Sequence, residues 1–80
     1  MAKTHAYVLV QTASGKALSA VRAVREIGGV TSAHAVTGLY DMICQVEADS
    51  LEELAGTVVN RIQAAGGVER TETALVVQTD

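Results

Sequence analysis

Residues Ala6-Tyr7-Val8-Leu9-Val10-Gln11 alternate with a period of two, and both registers are apolar. Ala6, Val8 and Val10 point one way, Tyr7 and Leu9 the other, which predicts a strand central in a sheet covered on both sides. Thr12-Ala13-Ser14-Gly15-Lys16 breaks the pattern, with Ser14 a candidate helix cap. From Lys16 to Ile27 the period turns helical: Leu18, Val21, Val24 and Ile27 recur opposite Arg22, Arg25 and Glu26, and Gly28-Gly29 ends the helix. Val30 to Thr37 reads as a second strand of small residues with His34. Met42 to Glu47 reads as a third, with Met42, Cys44 and Val46 inward and Gln45 and Glu47 outward. Ser50 and Glu53 form a capping box for a second helix, whose apolar stripe is Leu51, Leu54, Ala55, Val58 and Ile62 and which ends at Gly66-Gly67. Val68 to Gln78 is a final strand, polar at Glu69, Arg70 and Glu72 and then apolar from Ala74 to Val77.

The order is β-α-β-β-α-β, and Gly-Gly-Val follows each helix, at residues 28–30 and 66–68. Two split βαβ units with right-handed crossovers predict an α+β, ferredoxin-like fold: a four-stranded antiparallel sheet with both helices on one face. The first and last strands, however, stay apolar on the face that the helices leave bare. So large an apolar patch on so small a protein predicts dimerisation through the sheet, face against face.

Composition narrows the function. Eighty residues form one domain, 1–80, and half of them are hydrophobic, with neither Phe nor Trp. A net charge of −3 with only six basic residues argues against a nucleic-acid surface. The lone Cys44 excludes an internal disulfide and a cysteine-pair metal site. No apolar run is long enough to span a membrane and no signal peptide is visible, so the expectation is a cytoplasmic protein with no membrane partner.

Catalytic chemistry is sparse. His5 and His34 lie 29 residues apart with no nucleophile in a recognisable setting, and Ser14-Gly15-Lys16 lacks the spacing of a phosphate loop. No catalytic residue, metal ligand or cofactor is expected. The candidate site is instead the reversal Val36-Thr37-Gly38-Leu39-Tyr40-Asp41 between the second and third strands. Gly38 permits positive φ, and free turn amides can bind a carboxylate while Asp41 binds an ammonium. The competing reading is a plain turn in which Asp41 caps local N–H groups. A ligand site on so bare a hairpin needs walls from neighbouring chains.

Ala33-His34-Ala35-Val36-Thr37-Gly38-Leu39-Tyr40-Asp41, the following strand ending Val46-Glu47, Gly29-Val30, and Gly67-Val68-Glu69-Arg70-Thr71-Glu72-Thr73 resemble a known pattern. It is that of the effector-binding domain of the leucine-responsive/asparagine-responsive (Lrp/AsnC) transcriptional regulators. The resemblance implies an amino-acid-sensing, oligomer-forming regulatory module. It implies homodimers joined through their sheets and assembled into rings, commonly octamers. The effector would lie between dimers near Thr37, Gly38, Tyr40 and Asp41, with Val36 and Leu39 as walls. Regulators of this family carry a helix-turn-helix domain before the first strand. The chain begins at that strand, so it is similar to the stand-alone sensor form, with no direct nucleic-acid binding expected and full-length Lrp/AsnC regulators as possible partners. Two alternatives remain: a small dimeric α+β barrel enzyme using His34, and a purely structural interaction module.

Overall fold

The computed structural model describes residues 3–77. Strand β1 (Thr4–Thr12) lies between β3 (Met42–Ala48) and β4 (Val68–Leu75), and β2 (Val30–Ala35) pairs with the far side of β3. All pairings are antiparallel, in the order β2-β3-β1-β4. Helix α1 (Ala17–Arg25) and a second helix, α2 (51–63), complete the ferredoxin-like arrangement predicted from the element order. The last residue of the predicted final strand, Gln78, lies outside the described residues.

Alternation along β1 sorts the two faces. Ala6, Val8 and Val10 are buried under the helices, and so are Met42, Cys44 and Val46 of β3. Val21 and Val24 of α1 and Leu54, Val58 and Ile62 of α2 close over them. The core is wholly aliphatic apart from Met42 and Cys44, and burial alone pushes the Cys44 thiol up to about 11.

Both helical stripes need correcting. Leu18 is 68% exposed, while Ala20 joins Val21 and Val24 in the core. Residues three apart lag the helix period by about 60° per step, so a run of three such steps ends on the opposite side from its start. In α2, Leu51 is exposed and so is Ala55, whereas Val59 is buried. The middle of that helix, Leu54–Val59, is a π-helix, whose wider turn changes which residues face the sheet. Asn60 Nδ2 donates to the Gly56 carbonyl at 2.8 Å within this turn.

The predicted capping box is present. The Glu53 amide donates to Ser50 Oγ at 3.1 Å, and Glu53 Oε1 accepts from the Asp49 amide, one residue earlier than the standard box. Ser14 caps nothing: Lys16 is the residue at the N-terminus of α1, and its cap lacks a side-chain bond. The open sheet face is also less uniformly apolar than predicted. Tyr7 is 42% exposed there, but His5, Gln45 and Glu47 stand beside it, and on β4 the polar Arg70 and Glu72 share that face with Ala74.

Strand β2 stops at Ala35, two residues short of the expected Thr37, and residues 36–41 make the connection. Three bonds fix it. The Val36 amide donates to the Asp41 carbonyl (3.0 Å), and the Asp41 amide donates to the Val10 carbonyl (2.8 Å). The third runs from the Thr12 amide to Asp41 Oδ2, at 2.8 Å. Gly38 turns the chain at φ +112°. Thus the carboxylate ties the hairpin to the end of β1 rather than capping the hairpin itself.

This packing generates two stability predictions. Gly29 sits at φ +96°, and a Cβ there would lie 2.6 Å from Val58 Cγ2, whereas Gly28 has open space around it. Gly29→Ala is expected to lower unfolding free energy by about 2 kcal/mol or more in urea, with Gly28→Ala neutral or slightly stabilising. Asp41→Ala removes a charge-assisted bond to a part-buried amide, so a loss of about 2 kcal/mol is expected in the same titration.

Candidate functional site

The tie at Asp41 lays the hairpin tip against the open face of the sheet. Directly opposed residues of antiparallel strands share a face. Gln11 is opposite Arg70, and Leu9 is opposite Glu72, so these four side chains emerge together on the uncovered side. Gln11 Nε2 donates to the Leu39 carbonyl at 3.1 Å, and the Tyr40 hydroxyl donates to Glu72 Oε1. The hydrogen bond to Glu72 is the main reason that the Tyr40 phenol is raised above its ordinary value. Burial and the negative charge of Glu72 add to it, and Arg70 opposes it. Losing that proton would set a phenolate against a carboxylate.

Gln11, Leu39, Tyr40, Arg70, Thr71 and Glu72 line a cleft of ≈ 190 Å³. Of the predicted site residues, only Leu39 and Tyr40 reach it. Leu39 is 77% exposed at its rim. Asp41 is engaged with Thr12, the Val36 amide with Asp41, and Thr37 and Gly38 form the exposed tip; none of these four lines the cleft. Gln11, Arg70, Thr71 and Glu72 were missed by the sequence reading. The spacing of Arg70 and Glu72 puts the two charges on one face of a strand, but only the pairing of β1 with β4 brings them to the hairpin.

The cleft can do definite chemistry. Arg70 offers a planar guanidinium suited to a carboxylate, Glu72 a carboxylate suited to an ammonium, and Leu39 an apolar wall. The cleft is open to solvent on one side, so a single chain contacts a ligand there without enclosing it.

Other groups are less organised. A broader depression of ≈ 600 Å³ on the open face is lined by His5, Tyr7, Thr31, Gln45, Glu47 and Val76 among others, and His5 Nδ1 lies 3.8 Å from Glu47 Oε1. His34 is exposed on the edge strand β2, and among the described residues no carboxylate lies within ion-pair distance of it. Beside it, Arg25 Nε donates to the Ala33 carbonyl at 3.0 Å. Among the described residues no three potential metal ligands cluster, and no helix is long and apolar enough to cross a membrane.

Comparison with known proteins bears on this arrangement. The chain matches the family model of the Lrp/AsnC ligand binding domain over residues 5–79. No curated protein matches it significantly. Among solved structures, TTHA0845 from Thermus thermophilus is similar at 32% identity and a TM-score of 0.87, covering 96% of each chain. AsnC of E. coli is similar at 25% identity and a TM-score of 0.85, over 95% of this chain and 52% of that one. The transcriptional regulator NMB0573 of Neisseria meningitidis, solved as an L-Met complex, shares the fold at 21% identity and a TM-score of 0.80, over 94% and 50% of the two chains. With nearly its whole length matched and its hairpin seated as described, the chain belongs to the Lrp/AsnC ligand binding domain family.

Proposed function

We propose that this protein is an amino-acid-responsive regulatory module whose effector binds at the hairpin cleft, with the missing walls supplied by a neighbouring copy. The observation that carries this reading is the cleft itself: opposite charges on Arg70 and Glu72 beside an apolar Leu39, in a space open to solvent on one side. A zwitterion with an apolar side chain is the ligand class that uses all three features. The L-Met bound by the Neisseria regulator of the same fold supports an amino acid as effector.

Assembly belongs to the same proposal. The half-exposed Tyr7, with Ile43 and Ala74 on the same uncovered face, favours a homodimer formed sheet against sheet. Dimers would then meet around their hairpin tips in a larger ring, an octamer on the family's pattern. The module acts by binding and assembly, with no catalytic step assigned to any residue.

A thermal-shift panel of the twenty common amino acids, read alongside sedimentation velocity, tests this reading. At one hundred times the dissociation constant, an effector stabilises the protein by about 2.7 kcal/mol. The expected result is a concentration-dependent rise in Tm for one amino acid or a small related set, on a species of at least dimeric size. No shift with any of the twenty, or a folded monomer at micromolar concentration, would contradict it.

A further inference from the structure

Resting on the amino-acid reading above, we infer that Glu72 is the carboxylate that receives the effector's ammonium, and that Tyr40 occupies it in the unliganded protein. The residue that sequence reasoning assigns to the ammonium, Asp41, is already used: its Oδ2 accepts from the Thr12 amide at 2.8 Å, and it does not line the cleft. Glu72 does line it, and its one bonded partner among the described residues is the Tyr40 hydroxyl, a neutral donor that a cationic one outcompetes. Arg70, two residues along the same face and about 7 Å away along the strand, has no ion-pair partner among the described residues. The two β4 side chains therefore offer a matched anion and cation to the two ends of a zwitterion.

The Tyr40 contact makes the site self-occupied. While the phenol holds Glu72, the carboxylate is not available, and apparent affinity falls by the fraction of molecules in which it is free. Binding then trades a tyrosine hydroxyl for an ammonium and releases Tyr40 from β4. Because Tyr40 follows the exposed tip at Thr37 and Gly38, the exchange reports occupancy to whatever the tip touches. The effector is thereby chosen for its free amino group, and a deaminated analogue with the same side chain and carboxylate lacks the group that displaces Tyr40.

The test uses isothermal titration of the full chain with the amino acid that gives the largest thermal shift and with its 2-hydroxy acid analogue. Wild type is expected to bind the amino acid and to reject the hydroxy acid. Glu72→Gln is expected to bind the amino acid at least about tenfold more weakly, the equivalent of one charged hydrogen bond, and to lose the discrimination. Glu72→Asp keeps the charge and retains part of both. Tyr40→Phe, which removes the competing donor, is expected to bind several-fold more tightly. Unliganded melting temperatures of all variants identify any that fail to fold. Wild-type affinity and discrimination in Glu72→Gln would overturn the inference and leave the amino-acid reading standing. A loss in Tyr40→Phe as large as in Glu72→Gln would also overturn it, since Tyr40 would then be a ligand contact. Absence of amino-acid binding by wild type would instead remove the proposed function, and this inference with it.

Discussion

A single carboxylate joins the two halves of the molecule at the end where the site lies. Asp41 Oδ2 accepts the Thr12 amide where β1 ends, and the Asp41 amide reaches the Val10 carbonyl. Without these bonds residues 36–41 would be a loop held only at its two ends. With them the tip is docked against the open face, close enough for Tyr40 to reach Glu72 across β1 and for Gln11 to hold the Leu39 carbonyl. The two walls that the hairpin contributes, Leu39 and Tyr40, thus depend on where Asp41 places the turn.

The rest of the fold supplies a rigid base for that tie. Apolar side chains, mostly valine and alanine with Met42, Leu54 and Ile62 the largest fully buried, fill the core, and Gly29 lets Val58 of α2 approach the end of β3. Aliphatic packing covers one face of the sheet and leaves the other to be shared. That uncovered face carries both the half-exposed Tyr7 and the charged pair on β4, so the proposed assembly and the proposed recognition would draw on the same surface.

Much of this was legible in the chain and some was not. The facing of β3 was, because its period of two put Met42, Cys44 and Val46 inward, whereas β1 is apolar in both registers and its open side was read as covered. Element order was too, because glycine pairs punctuate both helices. Leu18 misled because three-residue spacing imitates an amphipathic stripe while drifting around the helix. Ala55 and Val59 exchanged places because no residue pattern announced the π turn in α2. At the site, the sequence marked the hairpin but not its neighbours: Gln11, Arg70 and Glu72 become part of it only through the β1–β4 register, a long-range fact with no local signature. Asp41, read as a partner for an ammonium, instead has its carboxylate directed at the backbone of β1.

The cleft depends on the hairpin being held to β1 in the unliganded protein. Native-state hydrogen exchange of the Thr12 amide reads this directly, because this N–H has the Asp41 carboxylate as its acceptor. Strong protection in the unliganded protein, comparable to that of neighbouring β1 amides, is the result predicted. Exchange at the rate of an unstructured amide, with the β1 core still protected, would contradict it.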